Sequence, residues 1–300
     1  MENGFLLIWL LVACVLLVDT AILYIRYPAK KVRKMPNIVM PNIVMPNIGR
    51  SMTIGGREIQ EDQTGCAETA AGILAVLADG AGKACGGRIA SRIAVDTCMD
   101  IFSDYNAFHN PQYFFRKACH RANKEILKAL GDDSRGSASL GCAMVREGFL
   151  YYALVGNVKI AVYREGNLVP ISSGHTFAVL AEQKFREGTI SREDALRMLE
   201  NRRLYNYLGQ DGFRDIELFD APVRMKPGDI VVLMSDGVYE LIGMREIEAV
   251  LGGAGDCQRK AYDIIELVNQ NPKEDKDNAS IVLLGMGDRV GTYEKAEFRI

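Results

Sequence analysis

Three short apolar runs, each bordered by an aspartate, constrain the fold of this chain more than any other feature. The runs and their aspartates are residues 73–78 with Asp79, residues 230–234 with Asp236, and residues 281–284 with Asp277. Apolar runs of this length are typical of buried β-strands. Asp79 and Asp236 would lie where strands end, and Asp277 where a strand begins.

An acidic dipeptide step occurs beside each run and once more upstream. The four steps are Glu61-Asp62, Asp79-Gly80, Asp236-Gly237 and Asp277-Asn278. Any one of them alone is typical of an ordinary turn. Carboxylates at several strand ends can nevertheless converge, and hard divalent cations such as Mg²⁺ or Mn²⁺ prefer oxygen ligands. The set therefore predicts a metal site with bound waters as potential nucleophiles.

Composition predicts a globular protein. Of 300 residues, 48% are hydrophobic and 25% are charged, which suits one large domain with an appendage. Residues 51–300 contain 30 Lys and Arg against 36 Asp and Glu, so we expect no nucleic-acid surface. Seven scattered cysteines without a C-x-x-C pair favour reduced thiols.

The appendage begins with an apolar stretch, residues 5–25, that is long enough to cross a bilayer as a helix. Five basic residues follow it between positions 26 and 34, which favours a retained anchor over the alternative, a cleaved signal peptide. The positive-inside rule then predicts a single-pass membrane protein with everything after Arg26 in the cytoplasm. Residues 1–34 would form the anchor and its basic juxtamembrane segment.

A threefold Met-Pro-Asn-Ile repeat occupies the segment 35–50. Proline at every fifth position excludes a continuous helix, so we predict an extended linker; a docking role for its Ile and Met residues is the alternative. The main domain would span residues 51–286, and residues 287–300 would form a C-terminal tail.

Helical spacing and turn signals describe the rest of the main domain. Helices are expected after the glycine-rich turn 80–87, after Asn110-Pro111, after Ser191 and around residues 261–268. Residues 139–172 resemble a meander of four short strands separated by turns, which implies antiparallel pairing. Grouped strands with flanking helices predict an α+β layered domain.

The ordered motifs resemble those of the PPM-type, protein phosphatase 2C-like family of metal-dependent serine/threonine protein phosphatases, over roughly residues 50–286. The resemblance is carried by Arg57 with Glu61-Asp62, by residues 77–82 with Gly87 and residues 90–91, by residues 231–237, and by Asp277-Asn278. It implies a four-layer sandwich of two antiparallel β-sheets flanked by α-helices, preceded here by one transmembrane helix.

The resemblance also implies roles for individual residues. Two Mn²⁺ or Mg²⁺ ions would be held by Glu61, Asp79, the carbonyl of Gly80, Asp236 and Asp277. Asp62 would orient a metal-bound water, and Arg57 would grip the phosphate with its planar guanidinium. A surface ion pair with a nearby carboxylate is the alternative for Arg57. Two such ions about 3.5 to 4 Å apart can activate a water for attack on phosphorus.

Several positions depart from the family pattern. Asn157 stands where the family has an aspartate that resembles a third-metal ligand, so a third ion should bind weakly or not at all. Ala81 stands where some relatives carry a histidine that protonates the leaving group. Gly174-His175 replaces a usual Asp-His pair, and we expect His175 to be a loop residue.

The leading hypothesis is a membrane-anchored phosphatase acting on phosphoserine and phosphothreonine of cytoplasmic proteins, opposed by a membrane-associated kinase system. One alternative is a pseudophosphatase that binds a phosphoprotein or a regulatory partner without turnover, which the substitutions at Ala81, Asn157 and Lys159 motivate. Another is a metal-dependent hydrolase of other phosphate esters. The ligand positions for two ions are complete, which favours an enzyme.

Overall fold

The computed structural model describes residues 46–69, 72–103, 110–131, 135–199 and 203–287. Its strands form two antiparallel sheets, and helices cover the outer face of each sheet. This confirms the predicted sandwich. The predicted transmembrane helix, residues 5–25, lies outside these ranges; inside them, no helix has the length and apolar character that crossing a bilayer requires.

The strands in chain order are β1 (Pro46–Thr53), β2 (Gln63–Thr69), β3 (Gly72–Gly82), β4 (Gly136–Arg146), β5 (Phe149–Val155), β6 (Lys159–Arg164), β7 (Asn167–Pro170), β8 (Glu217–Leu218), β9 (Val223–Arg224), β10 (Ile230–Met234) and β11 (Ala279–Met286). The helices are α1 (Gly86–Ser103), α2 (Pro111–Leu130), α3 (Phe177–Arg186), α4 (Arg192–Leu199), α5 (Asp236–Tyr239), α6 (Met244–Gly252) and α7 (Cys257–Gln270). One sheet has the order β1-β11-β10-β6-β7, and the other has the order β2-β3-β4-β5-β8, with β9 also paired to β5.

The central strands are apolar throughout because both of their faces are buried. On β3, Leu74 and Val76 pack with residues of α1 and α2, whereas Ala75 and Leu77 face the core between the sheets. The five-stranded sheet packs against α6 and α7 in the same way. The helix predicted after Asn110-Pro111 buries all five of its periodic residues: Phe114, Ala118, Ala122, Ile126 and Leu130.

The predicted meander over residues 139–172 is in fact two hairpins in different sheets. Strands β4 and β5 pair in the six-stranded sheet, and β6 and β7 pair in the five-stranded sheet. The chain crosses between the sheets at residues 156–158, where Gly156 has a positive φ of 92°. Leu154 precedes this crossing and Ile160 follows it, and both are buried in the core between the sheets. The apolar pattern along the sequence therefore resembles that of two strands paired in a hairpin.

Three details of the strands place the acidic residues. β3 continues past its apolar run to Gly82, so Asp79 lies within the strand, opposite Ser139 of β4. Asp236 begins the short helix α5 directly after β10, and Asp277 precedes β11 as predicted. β1 starts at Pro46 and pairs with β11, so the sheet includes the last five residues of the predicted linker.

Candidate functional site

The connection between β1 and β2 carries Arg57, Glu61 and Asp62, and Asn278 fixes its position. The Glu61 backbone N–H donates to Asn278 Oδ1 at 2.7 Å, and Asn278 Nδ2 donates to the Ile54 carbonyl at 2.9 Å. Both bonds are made by a side chain that is only 5% exposed. Because Asn278 follows Asp277, this amide holds the Glu61-Asp62 step beside the fourth acidic step, Asp277-Asn278.

Glycines allow the backbones that carry the acidic residues to approach closely. A Cβ on Gly80 would lie 2.2 Å from the Gly87 carbonyl oxygen and 2.6 Å from that of Glu61. A Cβ on Gly237 would lie 2.0 Å from the Asn278 carbonyl oxygen. Side chains at these two positions would therefore separate the segments that bear Glu61, Asp79, Asp236 and Asp277.

The carboxyl groups are close enough to shift one another's protonation. Burial and the charges of Asp236 and Asp277 raise the pKa of Asp62 to about 7. The 2.8 Å hydrogen bond that Ser235 Oγ donates to Asp62 lowers this pKa, but by less. Burial also raises the pKa of Asp79 well above its usual range, and Asp62, Asp236 and Asp277 add to this rise. Asp79 and Asp236 share a side-chain hydrogen bond.

Asp236 has a second partner from the crossing between the sheets. Burial and the charge of Asp277 raise the pKa of Asp236, and a hydrogen bond from Asn157 lowers it. The Asn157 Nδ2 donates to Asp236 Oδ2 at 2.9 Å. The amide therefore stabilises the ionised form of a carboxylate that its acidic neighbours destabilise.

The donor set suits hard divalent cations. Glu61 Oε1 is buried and has no hydrogen-bond partner among the residues that the structure describes, and burial raises the pKa of this carboxyl group. A crowded set of carboxylates with an unpartnered oxygen is the chemistry that Mg²⁺ or Mn²⁺ neutralises. No group of three or more His, Cys, Asp or Glu side chains within the described ranges already has metal-binding geometry, so the ligand assignments stay predictions.

Arg57 makes an ion pair with one of the predicted ligands. Its Nε and Nη2 donate to the two Asp277 carboxylate oxygens at 3.0 and 2.9 Å. This is the ion pair that we set out as the alternative to phosphate binding. The side chains are 49% and 53% exposed, so the pair is accessible to solvent and to a phosphate. The predicted contact of Arg57 with phosphate stays a prediction.

His175 lies in the loop between β7 and α3, as predicted, and its side chain is buried there. It is 6% exposed, and its Nδ1 accepts a 3.0 Å hydrogen bond from the Gly156 N–H, while its own backbone N–H donates to the Gly156 carbonyl. Burial lowers the pKa of His175, so the neutral ring is favoured. His175 thus braces the crossing between the sheets.

Sequence reasoning named the acidic residues but missed the polar residues that hold them. In the sequence, Asn278 is marked only as the second half of an acidic step, and Ser235 only as the residue between an apolar run and Asp236. Asn157 was noted only as a departure. The groups that these three side chains bind are Glu61 N, Asp62 and Asp236, which lie 79 to 217 residues away in the sequence. No local spacing indicates such contacts.

Comparison with known proteins agrees with this arrangement. The family described as Protein phosphatase 2C matches residues 48–251, which is more than half of the chain. The chain belongs to the protein phosphatase 2C family. Membership confirms the resemblance of the ordered motifs and the enzyme class that it implies, a protein serine/threonine phosphatase. It does not favour the pseudophosphatase alternative.

Similar proteins come from several bacteria. The "Serine/threonine phosphatase stp" of Listeria monocytogenes is 26% identical over 217 residues, which cover 70% of this chain and 83% of the relative. The solved structure of the serine/threonine phosphatase Stp1 from Staphylococcus aureus is 22% identical and has a TM-score of 0.69, with 81% of this chain and 96% of that chain covered. The catalytic domain of the phosphatase PstP in complex with two manganese ions has a TM-score of 0.67 at 20% identity, covering 81% of this chain and 99% of that one. These structural likenesses support the fold.

Proposed function

We propose that the chain is a membrane-anchored protein phosphatase that releases phosphate from phosphoserine and phosphothreonine of cytoplasmic proteins, using two Mn²⁺ or Mg²⁺ ions. The observation that carries the proposal is the convergence of Asp62, Asp79, Asp236 and Asp277 from both sheets, beside an unpartnered oxygen of Glu61. The phosphatase 2C family membership supports the substrate class.

Each acidic residue has a role that its position suits. Asp79, on whose pKa Asp62, Asp236 and Asp277 all act, would hold the two ions together with Glu61, the Gly80 carbonyl, Asp236 and Asp277. Bound ions of this kind lower the pKa of water and neutralise charge that develops on the phosphoryl group. Asp62 is buried and accepts a hydrogen bond from Ser235 Oγ, so its carboxylate is held in place and is suited to orient the attacking water.

Arg57 would bind the phosphoryl group of the substrate, and Ala81 bears on how the leaving oxygen is protonated. The Arg57 guanidinium is half exposed, and a phosphate offers it the same two-oxygen geometry as the Asp277 carboxylate. We therefore expect a bound phosphoryl group to take over this interaction. Ala81 is exposed and has no acidic proton, so the departing serine or threonine oxygen takes its proton from solvent.

The localisation rests on sequence alone. The apolar residues 5–25 and the basic residues that follow suit an anchor with its main domain in the cytoplasm. Such an anchor would raise the local concentration of the enzyme near membrane-bound phosphoproteins and near a kinase that modifies them. Deletion of residues 5–25 should move the protein from the membrane fraction to the soluble fraction of lysed cells; equal distribution of both forms would contradict the anchor.

The activity is tested with the full chain in detergent. Phosphate release from phosphoserine and phosphothreonine peptides is measured with Mn²⁺, with Mg²⁺ and with EDTA, and compared for Asp79→Asn and Asp236→Asn. We expect metal-dependent release that both variants lose. A folded, Mn²⁺-binding wild type without release would contradict the proposal and would favour the pseudophosphatase. Equal rates on small phosphoesters and on phosphopeptides would instead favour a hydrolase of other phosphate esters.

A further inference from the structure

Asn157 lies where the chain passes from one sheet to the other, and its neighbours fix its backbone. Gly156 has a positive φ, and a Cβ on it would lie 2.2 Å from Ser139 Oγ, so only glycine allows the chain this close to β4. His175 holds the Gly156 N–H on the other side, at 3.0 Å. The Tyr239 hydroxyl donates to the Asn157 carbonyl at 2.9 Å.

The Asn157 side chain is also held in one orientation. Ser139 Oγ donates to Asn157 Oδ1 at 2.7 Å and accepts from the Asn157 N–H at 3.3 Å. With the amide oxygen committed to Ser139, the amide nitrogen points at Asp236 Oδ2, 2.9 Å away. A rotated amide would place its oxygen against a carboxylate oxygen and leave the Ser139 hydroxyl without an acceptor. The bond to Asp236 therefore has a fixed direction.

We propose that Asn157 is a positioning residue that holds the Asp236 carboxylate in the orientation that binds a divalent cation. This inference rests on the proposed function, because it concerns the same ion site. Asp236 is surrounded by acidic groups, namely Asp79, Asp277 and Glu240. A neutral donor stabilises its charge without adding another negative charge to the cluster. Hydrogen-bond partners of metal ligands typically contribute 10- to 100-fold to metal affinity or activity.

The tests use the full chain in detergent, with Mn²⁺ affinity and stoichiometry measured by calorimetry and with phosphopeptide kinetics. We expect Asn157→Ala to bind at least one Mn²⁺ about 10- to 100-fold more weakly. Excess Mn²⁺ should restore its kcat, and KM for the peptide should change less than twofold. Asn167→Ala removes an exposed asparagine at the start of β7, whose side chain bonds only the Glu165 carbonyl among described residues, and serves as the matched control.

Ser139→Ala is the second variant, because it removes the hydroxyl that fixes the amide and leaves Asn157 in place. We expect weaker Mn²⁺ binding here too, by a smaller factor than for Asn157→Ala. Unchanged Mn²⁺ affinity in Asn157→Ala, or in Ser139→Ala if Asn157→Ala does not fold, would overturn the inference. A loss of kcat that excess Mn²⁺ does not restore would also overturn it. If wild type itself binds no Mn²⁺, the proposed function fails first, so the two failures are distinguishable.

Discussion

Replacement of Gly237 by alanine tests whether the close approach of two backbones sets the geometry of the acidic cluster. The added Cβ would lie 2.0 Å from the Asn278 carbonyl oxygen, whereas ordinary contact begins near 3.4 Å. The segments that carry Asp236 and Asp277 would therefore have to separate by about 1.4 Å. Overpacking of this kind costs about 1–3 kcal/mol of folding free energy. A shift of about 1 Å in a reacting group can lower activity about 100-fold.

The assay compares kcat/KM on a phosphothreonine peptide, Mn²⁺ affinity and unfolding in urea for Gly237→Ala and wild type. Gly228→Ala is the matched control, because Gly228 precedes the other end of β10 and has a φ of 85°, and no atom of the described ranges lies within 4 Å of its added Cβ. We expect the control to lose about 1 kcal/mol of stability through backbone strain and to keep its activity. A folded Gly237→Ala with kcat/KM within twofold of wild type would refute the reasoning.

Three further predictions concern an ion pair at the far end of β10 and the crossing between the sheets. Arg164→Ala leaves the buried Asp229 carboxylate without its 2.6 Å ion pair and should cost about 2–4 kcal/mol in urea unfolding; the kinetics should be unchanged, and an unaltered unfolding midpoint would contradict this expectation. Burial lowers the pKa of His175, although Glu217 and Asp215 oppose the shift, so the unfolded chain binds this proton more readily. The stability that neutral His175 contributes is complete at pH values above its ordinary pKa of 6.5, and it is lost as the pH falls towards the lower pKa of the folded state. In this pH range, His175→Gln should reduce the slope of folding stability against pH. Asn157→Asp places two carboxylates side by side, so calorimetry should reveal one additional Mn²⁺, whereas an unchanged stoichiometry would show that protonation relieves the repulsion instead.

Much of the fold could be predicted because burial leaves a strong local pattern. The apolar runs before Asp79 and Asp236 are strands with both faces covered, and the spacing of four from Phe114 to Leu130 is the buried face of a helix. The strands β1 and β2 were missed because they are edge strands of mixed polarity. The position of β1 follows from its pairing with β11, which lies far along the chain, whereas β2 pairs with the adjacent β3.

The acidic members of the candidate site could be predicted from motifs, but their contacts could not. The Arg57 ion pair with Asp277 joins residues 220 positions apart, and either a carboxylate or a phosphate satisfies the same guanidinium fork. The turn predicted at Gly156 is a crossing between the sheets. Glycine suits both a hairpin turn and such a crossing, and only the pairing of the flanking strands distinguishes them. Asn157 therefore looked like a lost ligand in the sequence, whereas the structure shows it bonded to Asp236.

The site draws its acidic residues from both sheets, so its geometry depends on the core between them. Asp79 belongs to β3 of the six-stranded sheet, while Asp236 follows β10 of the five-stranded sheet. Leu77 and Leu233, two and three residues before these aspartates, are fully buried in that shared core. Each buried leucine contributes about 1.5–3 kcal/mol, which offsets the cost of crowding carboxylates at the edge. A cation that binds the folded chain alone would add to the same balance, so the acidic cluster and the apolar packing are coupled through the strands that carry Asp79 and precede Asp236.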